Sequence, residues 1–399
     1  MPDPHLLVVG GSERTVRRAA ETGARITAWQ DRPHEPIAAI ADELQVFDYD
    51  RPALAERKAA ELHARHPLTA AVSLTERGLA PAAAVNAALG LADNGVACVA
   101  RLKDKHAMRR RMAERGLPAV AAAPASSPAQ VASCAERIGY PAVAKPVDGA
   151  GSVGVRILRN RDDAQALGDR PVTAWLVEEF LDGPEFSVEA FSQDGEHRIV
   201  AVTEKHLLPN RVEIGHTVPA ALPPAWRDEA ATEVARFLDA MELRRGPSHT
   251  EVIFTRDGAR IVESHNRVGG DKIADLVRLA TGVDLIGLTF RQAVAPIELP
   301  DAHTRTDRAA SIRFLTPPPG VVERIEGEDE VWAAEGAVDC VVGVRTGDTV
   351  HPIRSSADRS GYLIATAPAP AAATGRAAAL ADRIRISTAP AATVGAPGA

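Results

Sequence analysis

Two stretches of this 399-residue chain hold residue types at spacings on which chemistry could be built. The first is YPAVAKPVDGAGSVGVRIL, Tyr140 to Leu158. An apolar run, Ala142, Val143 and Ala144, delivers Lys145; glycines follow at Gly149, Gly151 and Gly154; Val155 to Leu158 then reads as a second strand. Strand, glycine loop, strand makes a hairpin whose tip is bare backbone. N–H groups there approach an anion closely, because no Cβ intervenes and positive φ costs little. Phosphate is the ligand such a tip suits. The spacing is not G-x-x-x-x-G-K-[ST] and no helix start follows the last glycine, which excludes the common phosphate loop.

The second stretch begins with two strand-like runs, Thr250 to Phe254 and Ala259 to Glu263, joined by the turn Arg256-Asp257-Gly258. An antiparallel hairpin with that turn brings Glu251 and Glu263 to the same end of the pair on one face. Two carboxylates brought together with no cation between them invite a divalent ion, and hard oxygen ligands suit Mg²⁺, which also takes phosphate oxygens. Ser264, His265, Asn266, Arg267 and then Gly269-Gly270-Asp271 follow directly.

The elements that must position these groups are legible along the chain. His5 to Val9 is a strand ending in Gly10-Gly11-Ser12, followed by a helix over Glu13 to Thr22. Further strands are expected at Arg25 to Trp29, Gln45 to Phe47 and Ala70 to Ser73. Alternating strands and helices predict a parallel sheet, a Rossmann-like first domain. Gly10-Gly11 alone is not a dinucleotide fingerprint, so NAD is not expected. Glu76 follows the strand Ala70 to Leu74, at the edge where open α/β sheets place ligand contacts. Leu102 to Arg115 reads as one basic helix with a solvated face, Ala119 to Pro128 as an extended connection, and Ala129 to Ile138 as a helix leading to the glycine hairpin.

Beyond the hairpin, Ala174 to Phe180 is a strand ending in Glu178 and Glu179. A turn leads to Glu185–Phe191, whose alternation puts Phe186, Val188 and Ala190 on one face and Glu185, Ser187 and Glu189 on the other. His197 to Val202 is another strand, followed by a Pro/Gly-rich segment to Pro224 that holds Glu213 and His216. Helices are expected over Trp226 to Met241, Asp271 to Thr281 with Gly282 as its cap, and Val283 to Val294. Arg308 to Ser387 reads as a separate β-rich end region with one helix, Ala371 to Arg383, and the Ala/Pro/Gly tail from Ala389 as disordered.

Composition narrows the function. Hydrophobic residues at 45% and charged residues at 25% are ordinary globular values, and a net charge of −7 argues against a dedicated nucleic-acid or anionic-membrane binder. Three scattered cysteines form neither a disulfide framework nor a metal-ligand spacing. No leader and no membrane-length apolar run is present, so a soluble, cytoplasmic protein is expected. Arginine outnumbers lysine 40 to 6, which makes each lysine a marked choice. Lys105, Lys145, Lys205 and Lys272 all fall in or beside the stretches singled out, where a compact ammonium suits a phosphate or carboxylate.

Taken in order, DKHAMR with Lys105, VAKPVDGAGSVGV with Lys145, VEEFLDGPEFSVEAF, TEVIF, VESHNRVGGD and AASIRFLTPPPG resemble the ATP-grasp superfamily. Within it, they are similar to the carboxylate-amine ligases that join amino acids. The resemblance covers nearly the whole chain. It implies an α/β (α+β) ATP-grasp fold with an N-terminal Rossmann-like domain (1–100), a central subdomain with the glycine-rich hairpin (101–200) and a C-terminal subdomain with the metal site and β-rich end (201–388), then the tail 389–399.

The family's roles, carried over residue by residue, put Lys105 and Lys145 on the ATP phosphates and close the loop Asp148, Gly149, Gly151, Ser152 and Gly154 over them. Glu178, Glu179, Phe180 and Leu181 match the adenine hinge and Glu185 the ribose ligand. Glu251 and Glu263 would hold Mg²⁺, with Mn²⁺ as the alternative, and Arg267 would steady the transferring phosphoryl group together with Lys145. Substrate contacts fall to Glu76, Glu213, His216, His265, Asn266, Gly269 and Gly270, the first three doubling as candidates to take the ammonium proton. The family usually has asparagine as a metal ligand where this chain has His265, and imidazole is a poor Mg²⁺ ligand, so the ion is held differently or Asn266 substitutes. The implied reaction is ADP-forming amide synthesis from small carboxylate and amine substrates, with neither nucleic acid nor membrane as partner; similar enzymes commonly form homodimers. The rival readings are a purine-pathway ligase or carboxylase of the same superfamily, and a nucleotide-binding sensor without chemistry.

Overall fold

The computed structural model describes residues 3–118, 120–147, 154–167, 174–300 and 307–390. The N-terminal sheet is parallel, in the order Glu43–Val46, Arg25–Gln30, His5–Val9, Ala70–Val72. Its central strand HLLVV is buried on both faces, as helices on each side of a parallel sheet require.

Where the sequence reads one basic helix, the structure has two, Val96–Lys103 and Lys105–Glu114. Asp104 breaks them. Its backbone is extended, and its carboxylate accepts from the N–H groups of His106 and Ala107, capping the second helix. That cap makes Lys105 the first helical residue. The face is not wholly solvated either, since Lys105 and Arg109 are both buried.

A second, antiparallel sheet runs Ala122–Ala125, Trp175–Glu179, Ala142–Pro146, Arg156–Leu158. The stretch read as a connection therefore supplies an edge strand, where Pro124 is tolerated because edges leave N–H groups unpaired. The glycine hairpin forms as expected, with Ala142 opposite Leu158. Of its loop, residues 148–153 lie outside the described residues, as does the tail from 391.

The largest sheet has eight antiparallel strands. Their order is Gly258–His265, Gly246–Thr255, Glu185–Gln193, Glu196–Leu207, Glu213–Val218, Ala309–Phe314, Gly361–Ala367, Ala337–Val342. The division expected between residues 200 and 201 falls inside one of these strands. The β-rich end is not separate from the hairpin bearing Glu251 and Glu263; three of its strands continue the same sheet, joined through Glu213–Val218, which the Pro/Gly-rich composition around it had hidden. A further small sheet pairs Gly320–Glu326 with Thr349–Val350 and Arg385–Ala389.

Helix Pro224–Met241 packs Phe237, Leu238 and Met241 against Phe186, Val188, Val252 and Phe254. The large sheet's other face takes Ile273–Thr281. Apolar burial on one side of Glu185–Gln193 leaves Ser187 and Glu189 on the opposite side, as the alternation predicted, and both are fully buried there.

Candidate active site

Glu251 and Glu263 are direct partners in the hairpin, but only because the ladder slips. From Thr255 opposite Gly258 back to Val252 opposite Ile261 the pairing is regular; then Glu251 meets Glu263 instead of Val262. A regular hairpin would have sent Glu263 to the far face. The one-residue bulge at Val262 puts the carboxylates on one side. It also leaves carbonyls out of the ladder, and Arg109 donates to those of Ile261 and Val262 at 2.6 and 2.8 Å.

Cations reach this pair from other elements. Lys205 Nζ lies 2.5 Å from Glu251, 2.8 Å from Glu185 and 3.6 Å from Glu213, and Lys105 Nζ lies 3.1 Å from Glu263. Burial by itself would raise the Glu251 carboxyl; Lys205 and His249 overcome it and hold Glu251 well below the usual range. Burial and the Glu251 charge likewise push Glu263 up, yet His265 and Lys105 leave it at about 2. Both groups are therefore anionic at neutral pH. Among the described residues no three His, Cys, Asp or Glu side chains form a metal cage. Two ionised carboxylates still fit Mg²⁺, which characteristically takes one or two carboxylates and completes its shell with water and phosphate oxygens.

On one side of the pair opens a cleft with about 890 Å³ of empty space, part of it solvent. Val143, Val155, Ile157, Phe180, Leu181 and Ile253 give it an apolar slot, while Lys105, Lys145, Glu185, Glu251 and Glu263 make the other end charged. A flat heteroaromatic ring with an anionic tail matches that polarity. Glu178 and Glu179 line the cleft as well. The Glu178 carboxylate, however, is occupied: Lys145 stands 2.5 Å away and Arg109 2.6 Å, which hold it ionised against burial. It orients Lys145 rather than presenting a free acceptor. Gly154 closes the hairpin's return at φ +81°, and a Cβ there would meet Pro146 Cγ at 2.9 Å.

On the other side, Glu213, His216, His265, Arg267 and Gly270 line a second, polar cleft that shares Glu251 and Glu263 with the first. Glu76, from the loop after the strand Ala70–Val72, contacts two of these residues, at 2.9 Å from Arg267 Nε and 3.0 Å from His265 Nδ1. Burial would raise Glu76, but His265 and Arg267 take it down to about 2. His216 Nε2 is 3.1 Å from Asp271, which a bidentate Arg359 holds at 2.6 and 2.7 Å, and Arg359 stacks 3.6 Å over Phe314.

Two predicted residues sit elsewhere. Asn266 lines a different cavity, between the strand Ala70–Val72 and Arg245, and neither of the two clefts beside Glu251 and Glu263. Gly269 serves packing, since a Cβ there would fall 2.8 Å from His249 Nδ1.

Sequence reasoning missed Arg109, read as part of a solvated face, and gave Lys205 no role although its rarity marked it. It also missed the buried couple His249–Glu189, at 3.0 Å, behind Glu251. Here burial and the Glu189 charge oppose each other, and Glu189 lifts His249 to about 9. The alternation in Glu185–Phe191 was the available signal for Glu189; nothing local marked Asp271 or Arg359 as partners.

A central sheet carrying paired carboxylates under a lysine-bearing glycine hairpin is the ATP-grasp architecture. Residues 138–275 match the ATP-grasp domain and residues 313–389 match L-amino acid ligase C-terminal domain 2. The chain therefore carries an ATP-grasp domain followed by a C-terminal domain of the L-amino acid ligase type. Among curated proteins it is 33% identical over 279 residues to the uncharacterized protein y4rH of Sinorhizobium fredii, covering 66% of this chain and 57% of that one. It is 24% identical over 238 residues to alanine–anticapsin ligase of Bacillus subtilis, covering 53% and 50%. The chain thus spans between half and three fifths of the length of these relatives. An L-amino acid ligase crystal structure from Bacillus licheniformis superposes with a TM-score of 0.85 over 98% of this chain and 100% of that one, at 21% identity. No helix among the described residues is long and apolar enough to cross a membrane.

Proposed function

We propose that the protein is an ATP- and Mg²⁺-dependent carboxylate-amine ligase that joins amino-acid-like substrates through an acyl phosphate, releasing ADP and phosphate. The observation that carries this reading is the common wall. Glu251 and Glu263 border both the lysine-rich, ring-accepting cleft and the polar cleft lined by Glu213, His216 and Arg267. A nucleotide in the first and a carboxylate in the second would meet there. The match to the L-amino acid ligase C-terminal domain supports the choice of substrate class over a purine intermediate.

A carboxylate is a poor acyl donor because its leaving group is oxide; accepting the γ-phosphoryl group supplies a good one. Lys105 and Lys145 would neutralise phosphate oxygens, with Glu178 aiming Lys145. Phosphoryl transfer depends on such positioning and charge more than on covalent help. A Mg²⁺ held by Glu251 and Glu263 would shield the phosphate charge. Lys205, between Glu185 and Glu251, fixes both carboxylates from behind. Arg267 would steady the anion at the acyl centre. Glu76, held near 2, is a poor proton acceptor and serves better as a fixed negative charge for a substrate ammonium, leaving Glu213 and His216 to assist the amine. The amine nitrogen then attacks the carbonyl carbon, phosphate leaves, and the nitrogen's proton is lost. The reading includes a cytoplasmic setting and a homodimer, the latter checked by sedimentation.

The test is ADP and phosphate release from MgATP against pooled L-amino acids, pooled D-amino acids and purine intermediates, with mass spectrometry of the products. ADP formed only with amino acids, beside a product one water lighter than its two parts, is the expected result. AMP and pyrophosphate would overturn the acyl-phosphate route. MgATP binding without turnover in any pool would favour the sensor.

A further inference from the structure

His265 stands two residues after Glu263 and so on the same face of its strand. Here both ring nitrogens are engaged: Nε2 lies 3.3 Å from Glu263 Oε1 and Nδ1 lies 3.0 Å from Glu76 Oε2. Each ring nitrogen is thus turned to a carboxylate oxygen, one on either side of the imidazole. The side chain is 8% exposed, and the neighbouring His249 ring stacks 6.5 Å from it at an interplanar angle of 22°. A row of alternating charge results, Lys105, Glu263, His265, Glu76, Arg267, with successive gaps of 3.1, 3.3, 3.0 and 2.9 Å. It passes from the nucleotide cleft to the polar one and ties the loop bearing Glu76 to the metal hairpin.

We propose that His265 is a positioning residue rather than a metal ligand, bridging Glu263 to Glu76 so that occupancy of the metal pair is coupled to the state of the substrate-side carboxylate. The inference rests on the metal role proposed above for Glu251 and Glu263. An ion at Glu263 competes with the imidazole for the same carboxylate. Glu76, the nearer partner, draws the imidazole away from that competition, so removing Glu76 lets the ring lean on Glu263 and weakens the ion. Coupling of this kind is reciprocal: whatever neutralises Glu76 changes metal affinity, and metal changes the affinity at Glu76 by the same factor.

Mn²⁺ binding to the ADP complex, followed by the electron paramagnetic resonance of free Mn²⁺, tests this without turnover. His265→Asn, which removes the competing imidazole and offers an amide oxygen, should tighten Mn²⁺. Glu76→Gln should weaken it by about five-fold or more in the wild-type background and leave it unchanged in the His265→Asn background. Weaker Mn²⁺ binding in His265→Asn would mean that the imidazole was a ligand, and an equal effect of Glu76→Gln in both backgrounds would remove the bridge; either overturns the proposal. If the wild-type ADP complex binds no Mn²⁺ at all, the metal role of Glu251 and Glu263 falls first. Circular dichroism and metal-free ADP affinity identify any variant that has lost its fold, and His265→Gln then replaces His265→Asn in the cycle.

Discussion

Replacing Arg109 by methionine should loosen the fold and the nucleotide cleft together. Its guanidinium is 5% exposed and donates to Glu178 at 2.6 Å and to the carbonyls of Ile261 and Val262 at 2.6 and 2.8 Å. Methionine fills similar volume but returns none of these bonds. Breaking a buried ion pair costs about 3–5 kcal/mol. Glu178 retains Lys145 at 2.5 Å, which puts this case at the lower end, about 3 kcal/mol. The bulge carbonyls left without a donor add about 1 kcal/mol or slightly more. A total of roughly 4–5 kcal/mol corresponds to a fall in melting temperature of about 8–20 °C for a cooperative unit of some 150–250 residues. Scanning fluorimetry of the ligand-free protein reads this directly, and MgADP titration should show weakened binding because the paired carboxylates depend on the bulge. A melting temperature within about 2 °C of wild type would refute the reasoning. The double variant Arg109→Met/Glu178→Gln should recover part of the loss, since the buried carboxylate then carries no charge; a double variant worse than the sum of the singles would sink the ion-pair account.

Glu263→Gln should abolish Mg²⁺-dependent ADP formation, by at least about 100-fold, while its circular dichroism stays native; retained full activity would remove the metal assignment. Gly269→Ala forces a methyl group to 2.8 Å from His249 Nδ1 and 3.1 Å from Ile273 Cβ, and should destabilise by about 1–3 kcal/mol; a denaturant midpoint equal to wild type would show that the contact relaxes freely. The Glu76 carboxyl is lowered in the fold from 4.5 to about 2, so the stability it contributes is complete above pH 4.5 and is lost as pH falls toward 2. The wild-type melting temperature should therefore drop more steeply across that window than that of Glu76→Gln, and parallel curves would contradict the contact with His265 and Arg267.

Patterns of one strand or one helix were legible in the sequence because period and burial coincide there. The alternation of Glu185–Phe191, the glycine hairpin and the turn Arg256-Asp257-Gly258 are such cases. What escaped depended on long-range partners. Arg109 stands in sequence beside the exposed Arg110, and only Glu178 and the carbonyls at the Val262 bulge, all distant along the chain, make it different. The bulge itself has no local signal, yet without it Glu251 and Glu263 would lie on opposite faces. Composition misled at Glu213–Val218, where the flanking prolines and the internal Gly215 masked a central strand, and at Asp104, whose capping carboxylate cut a helix that charge alone had drawn as continuous. Lys205 was visible as one of six lysines, but its three carboxylate neighbours come from three different strands.

The seam at Glu213–Val218 bears on how such a protein can be taken apart. That strand hydrogen-bonds on one edge to Glu196–Leu207 and on the other to Ala309–Phe314. The end region is therefore sewn into the sheet that carries the hairpin of Glu251 and Glu263, and Arg359 crosses the seam to grip Asp271. Cutting the chain before Ala309 would bare a row of backbone donors and acceptors in the middle of the sheet, an invitation to aggregate. The segment cannot be traded as a cassette without reopening that edge. Variation in what the polar cleft accepts is thus confined to single side chains on a fixed frame, and a chimera between two such enzymes would have to preserve the strand pairing residue for residue before it could inherit a new preference.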